Sequence, residues 1–79
     1  MTARDPYKKL RGLADAYWRL GARAHAIIER TGHPDPKAER ALIRAMQAQD
    51  AESRRLAAIG YPGELIADAL RPAHARRRS

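Results

Sequence analysis

An all-α fold, a small three-helix domain made of a long helical hairpin and a short C-terminal helix, is what these 79 residues predict. Three observations carry it. Two Asp-Pro pairs, Asp5-Pro6 and Asp35-Pro36, each join a capping carboxylate to a proline at the first helical position, where a missing N–H does no harm. Apolar or small residues then recur three and four apart. No segment shows the β-branched alternation of a strand.

The first helix reads from the Asp5 cap to Thr31, with Gly32 placed to end it in the left-handed conformation. Leu10, Leu13, Tyr17, Leu20, Ala24 and Ile27 form a seam suited to a partner helix, widened by Ala14, Trp18 and Ile28. Gly12 and Gly21 weaken the helix by up to about 1 kcal/mol each, or admit a close neighbour. Packing is the expected role for Gly21, which lies beside the seam. "GHPDPK" is the break, a short link that returns the second helix antiparallel. That helix runs from Pro36 to about Ile59 and stops at Gly60. Its apolar face is interrupted: Leu42, Ala45 and Met46, then the polar "QAQDAESR", then Leu56 and Ile59. Asp50 is able to cap a fresh start, so a kink or break near residues 49–53 competes with a continuous helix. "YPGELIADAL" predicts a third helix from Pro62 to about Leu70, offering Leu65, Ile66, Ala69 and Leu70 to the core. Residues 1–70 therefore form one helical domain. Residues 71–79, "RPAHARRRS", form a basic tail expected to stay flexible for want of apolar anchors.

A chain this short buries only roughly 60–65% of its unfolded surface, so its stability is expected to be marginal. With no cysteine, disulfides, thiolate zinc sites and thiol catalysis all drop out. The start, "MTARDPYKKLRGL", is too charged for a signal peptide, and no apolar run approaches the roughly 20 residues of a membrane span. A cytoplasmic protein is the expectation. The net charge is +7. Residues 1–31 hold seven basic against three acidic groups, residues 32–60 five against four, and residues 61–79 four against two. The excess on the first helix and the tail suits an acidic surface or nucleic acid, although a solvated basic face with no dedicated partner accounts for it equally well.

"RRLAAIGYPGELIADAL" resembles the opening of a helix-turn-helix, with Leu56, Ala57, Gly60, Ile66, Ala67 and Leu70 on matching positions. It is also similar to the helical repeats of the RecX regulators, which use a comparable leucine–glycine–isoleucine–leucine spacing. The likeness covers under a quarter of the chain and implies a nucleic-acid-binding protein with a helix-turn-helix-like C-terminal half. The sequence departs from the motif at Pro72, where the groove-reading helix should follow. Phosphate contacts are instead offered by Arg71, Arg76, Arg77 and Arg78 of the tail, with Lys8 and Arg11 of the first helix. Near-helical spacing of Arg19, Arg23 and Arg30 adds a basic stripe beside the seam.

A looser likeness is to the all-helical chorismate mutases, carried by "LRGLADAYWRLGARAHAIIER" and "PDPKAERALI". It would nominate Arg11, Arg30, Lys37, Arg40 and Glu52. The family's Arg-Glu pair reads Glu39-Arg40 here, and its third helix and closing glutamine have no match. His25, His33 and His74 lack metal-ligand spacing, Ser53 and Ser79 offer little to a catalytic dyad, and there is no glycine-rich phosphate loop. No cofactor, metal or small-molecule substrate is expected.

The expected function is therefore that of a small non-enzymatic regulatory or inhibitory protein that binds a macromolecular partner. The partner is a protein, within a nucleoprotein complex or alone, or a second copy of the chain. Compact, basic, cysteine-free helical hairpins resemble the small regulators and inhibitors carried by phages and plasmids. Tyr17, Trp18 and Leu20 are the expected apolar anchor, and Arg19 and Arg23 its polar rim, matching the composition of binding hot spots.

Overall fold

The computed structural model describes residues 4–77. Among them three α-helices follow one another, α1 (Lys8–Thr31), α2 (Pro36–Ile59) and α3 (Gly63–Leu70), and a 3-10 turn spans Ala73–Ala75. The all-α hairpin with a short third helix is as the sequence predicts. At 24 residues each, α1 and α2 are about 36 Å long, and they make the molecule elongated, 48 × 24 × 23 Å. Its radius of gyration, 14.5 Å, exceeds the roughly 11.6 Å of a compact chain of this length.

Asp35 caps α2 as expected: it is extended, and its carboxylate accepts from the Ala38 N–H at 3.0 Å. Asp5 acts differently. Its carboxylate accepts from the Tyr7 N–H at 2.9 Å and closes a turn ahead of α1, so the regular helix begins two residues later than the cap-plus-proline pattern suggests. Gly32 (φ 78°) and Gly60 (φ 115°) end α1 and α2 in left-handed conformations, which only glycine adopts without strain.

The second helix is continuous through residues 49–53. Within its polar interruption Gln49, Glu52 and Ser53 turn inward, and the last two are satisfied locally. Ser53 Oγ donates to the Gln49 carbonyl at 2.8 Å. Glu52, only 4% exposed, receives both its hydrogen bonds from Arg55, Nε and Nη2 each lying 2.7 Å from an oxygen. Asp50, the candidate cap for a fresh start, instead pairs with Arg54 at 3.0 Å.

The core lies at the open end of the hairpin, where Leu10, Leu56, Ile66 and Ala69 are buried together against Tyr7, Tyr61 and Leu70. Tyr7 and Tyr61 meet edge to face, with centroids 5.5 Å apart. Toward the hairpin turn the helices are held mostly by small side chains. Ala24 is buried there, and Leu42 Cδ1 stands 3.8 Å from where a Gly21 Cβ would lie. That is ordinary contact, so packing does not demand glycine at position 21. The α1 seam is thus turned toward the chain's own α2, with Leu10 and Ala24 buried and Leu13, Tyr17, Leu20 and Ile27 half-buried.

The described part of the basic tail is fastened down. Arg76, with a side chain 12% exposed, donates to Asp15 Oδ1 at 2.7 Å and to the Arg11 carbonyl at 3.2 Å. The Arg77 N–H donates to Asp68 at 3.1 Å. Polar and charged groups thus contact the helices from a segment that carries no large apolar side chain.

Candidate functional site

Successive residues on an α-helix diverge by about 100°, and on α1 this separates the predicted anchor. Tyr17 is half-buried between the helices. Trp18 turns toward α3, where its indole N–H donates to the Leu70 carbonyl at 2.9 Å. Leu70 ends α3, so this carbonyl is one of those a helix C-terminus leaves without an intrahelical donor. The Tyr17 ring stands edge-on to Trp18, with centroids 5.4 Å apart. The indole is therefore held from two sides yet remains 43% exposed.

Leu70 links this ring to a cleft of about 350 Å3 that it lines with Met46, Gln47, Gln49, Asp50 and Ser53. Met46 is 46% exposed, and Ile43, one helical turn before it, is 47% exposed. Gln49 Oε1 is buried with no hydrogen-bond donor. Trp18, Leu70, Met46 and Ile43 together give an apolar surface beyond the end of α3. A third helix of eight residues, about 12 Å long, covers only part of two helices three times its length. The 24/24/8 proportion was readable in the sequence, and it was the available signal for Met46 and Ile43, which residue-by-residue reading missed.

The other predicted partner residues lie elsewhere. Leu20 and Arg23 line a groove of about 210 Å3 near the hairpin turn, with Ile27, Asp35, Lys37, Ala38 and Ala41. Arg19, one turn before Arg23, is exposed on the outer side of α1. Trp18 thus has neither Leu20 beside it nor Arg19 and Arg23 as its rim.

Three of the six proposed phosphate contacts are already paired. Arg11 bonds the Asp5 carboxylate, which holds Asp5 below its usual range and raises Arg11 further. Arg71 lies 3.8 Å from Asp68, and Arg76 is bonded to Asp15. Lys8 is exposed, as is Arg77, while Arg78 lies outside the described residues. A cleft of about 690 Å3 is lined by Asp5, Arg11, Asp68, Arg76 and Arg77 among others. Internal ion pairs dominate it and fasten the tail to α1 and α3.

Glu52, a buried carboxylate, forms an inward-facing ion pair. Its carboxyl is held below the usual range by the Arg55 fork, against the opposing effect of burial, and Lys9 approaches to 4.0 Å. The residues nominated by the chorismate mutase likeness do not converge: Arg11 and Arg30 are about 28 Å apart along α1, and Glu52 is engaged by Arg55. Among the described residues no helix follows α3 that could enter a DNA groove; only the Ala73–Ala75 turn does. No group of three His, Asp or Glu is placed to hold a metal ion among those residues, and none of their helices is long and apolar enough to cross a membrane. No protein-family model matches the chain, and no curated protein or solved structure is significantly similar to it.

Proposed function

We propose that this chain is a non-enzymatic binding protein that docks a protein partner through the Trp18–Leu70–Met46–Ile43 surface and so regulates or inhibits it. The observation that carries this reading is the tethered, half-exposed indole beside an apolar cleft. A large aromatic fixed before binding loses little rotamer freedom on association, which is why such residues dominate hot spots. The accessible surface supports the same conclusion. It is 6210 Å2, against the roughly 4800 Å2 expected of a compact monomer of this mass.

The test uses the full chain as bait with three variants. Met46→Gln removes apolar surface at similar length and helix propensity, Trp18→Ala removes the anchor, and Ile59→Ala truncates an exposed residue near the C-terminal end of α2. A partner retained by the wild type and Ile59→Ala should be lost or weakened about 30-fold by Trp18→Ala, the effect of a hot-spot truncation near 2 kcal/mol. Met46→Gln, with an unchanged melting temperature, should weaken it in the same direction. Equal retention by all four proteins would refute the assignment.

A further inference from the structure

We infer that the side of the hairpin near its turn, away from α3 and the Trp18 surface, is a binding face for the phosphate backbone of duplex nucleic acid. The inference begins from the ion pairs. Asp5, Asp15, Asp50, Glu52 and Asp68 each engage an arginine, and Glu29 meets the His25 imidazole. Arg19, Arg23, Arg30, Lys37, Arg40 and Arg44 form no ion pair among the described residues. Asp15, four residues before Arg19 and so in reach of it, is bonded to Arg76 instead. Arg23 and Lys37 line one groove; Arg19 and Arg30 extend the row on α1, and Arg40 and Arg44 extend it on α2. The only carboxylate in that groove, Asp35, caps α2.

This arrangement works against the isolated protein. Arg19 and Arg23, and Arg40 and Arg44, are like charges four residues apart, which weakens a helix. Lys37 stands in the first turn of α2, where the helix dipole disfavours a cation. Nothing on the face offsets these costs, whereas Arg11, Arg54, Arg55, Arg71 and Arg76 elsewhere each meet a carboxylate. An external polyanion would offset them. Along α1 the row spans about 16 Å, and neighbouring helix axes lie about 8–10 Å apart, so the patch meets several duplex phosphates, which recur at one charge per about 1.7 Å. Five of the six cations are arginines, whose planar forks match phosphate oxygens. The aromatic rings lie elsewhere, Tyr7 and Tyr61 in the core and Tyr17 and Trp18 at the Leu70 side. The face thus has no platform for stacking unpaired bases. It also lacks the apolar anchors of a protein hot spot or of a membrane-inserting helix. Sequence-tolerant contact with a duplex backbone is what remains.

The experiment is a polarisation titration of a labelled random-sequence DNA duplex with the full chain at about 50 and about 200 mM salt. Competitors are polyglutamate and vesicles of anionic phospholipid. With three to four phosphates neutralised, affinity should fall roughly 40- to 150-fold between those salts. Arg23→Gln/Lys37→Gln/Arg44→Gln alters three exposed positions with little change in helix propensity, so its far-UV circular dichroism should match the wild type. It should flatten the logarithmic salt slope by about 2.7. Trp18→Ala should leave duplex affinity unchanged, which separates this face from the protein-docking surface. Three results would each overturn the inference: no duplex binding at the lower salt, an unaltered slope in the triple variant, or displacement by polyglutamate or vesicles at lower charge concentration than by unlabelled duplex. Loss of binding in Arg71→Gln/Arg77→Gln but not in the triple variant would return the contact to the tail and overturn it equally.

Discussion

Replacing Arg55 with methionine should destabilise the protein more than replacing its buried partner, Glu52. The asymmetry follows from burial. Glu52 is 4% exposed and the Arg55 side chain 55% exposed, while both carboxylate oxygens are satisfied by the one guanidinium at 2.7 Å. In Arg55→Met the carboxylate stays between the helices and loses both charge-assisted hydrogen bonds. Lys9, at 4.0 Å and 72% exposed, is a weak replacement. A buried group left unsatisfied costs about 1–3 kcal/mol. For a domain of this size, a loss of about 2 kcal/mol lowers the melting temperature by roughly 8–16 °C. In Glu52→Met the buried charge is gone, a side chain of similar volume fills the space, and Arg55 turns to water. Such replacements are commonly neutral or stabilising, so the expected change lies within about 1 kcal/mol of zero.

The pH dependence gives the reasoning a second edge. Arg55 holds the Glu52 pKa below its usual value in the folded protein. The pair's stabilisation is therefore present above the unfolded carboxyl pKa of about 4.3 and is lost as pH falls through the lower folded value. In Arg55→Met the sign reverses: an unpaired buried carboxyl titrates above 4.3, and its penalty disappears as it protonates. The gap between wild type and Arg55→Met should thus be widest near neutrality and narrow as pH falls toward 4. Thermal melts followed by circular dichroism across that range would measure it. A gap that does not change with pH, or a Glu52→Met deficit as large as that of Arg55→Met, would refute the assignment of Glu52 as the buried, Arg55-dependent charge.

Gly12 is exposed on α1 with nothing within 4 Å of where an alanine methyl would stand, so Gly12→Ala should raise stability by about 0.5–1 kcal/mol in chemical denaturation. Gly60 is equally open but sits at φ 115°; Gly60→Ala should lower stability by about 1 kcal/mol or more because an L side chain is strained there. Arg76→Ala frees Asp15 and removes the tail's anchor, so amide hydrogen exchange at the Ala75 and Arg77 N–H groups, which bond the Pro72 carbonyl and the Asp68 carboxylate, should be faster than in the wild type, with a stability loss of about 1–2 kcal/mol.

The fold was largely legible because its signals are local. Asp35 with Pro36, Gly32 and Gly60 mark helix ends by backbone chemistry that needs no tertiary context, and Leu10, Leu56, Ile66 and Ala69 stand on the expected apolar faces. The polar run "QAQDAESR" misled because Glu52 and Ser53 face inward with partners three and four residues away on the same helix. Hydropathy registers the interruption but not the local satisfaction. The site was harder to read. Tyr17, Trp18, Leu20 and Arg23 are neighbours in the chain, yet helical rotation places Trp18 and Arg23 on different sides of α1. Arg76 looks like a free tail cation until Asp15, 61 residues away in sequence, is brought beside it; such pairings depend on the assembled fold.

Alanine links these observations. A hydrophobic content of 44% is much diluted by alanine, and Ala24, Ala38 and Ala41 lie in the half of the hairpin nearest the turn. Small side chains let two helices approach but remove little apolar area from water, at about 25 cal/mol per Å2. The larger apolar residues Leu10, Leu56 and Ile66, together with Tyr7 and Tyr61, gather at the open end, as do the Asp5–Arg11, Asp15–Arg76 and Glu52–Arg55 pairs. The chain therefore concentrates its internal stabilisation at one end. At the other it carries the unpaired cations of α1 and α2, where mutual repulsion acts on the most thinly packed part of the fold. An arrangement selected for stability alone would place carboxylates among Arg19, Arg23, Arg40 and Arg44. Their absence there, beside an open end in which Arg11, Arg54, Arg55, Arg71 and Arg76 each meet a carboxylate, is the physical reason to look for binding partners along the flanks of the hairpin rather than in its core.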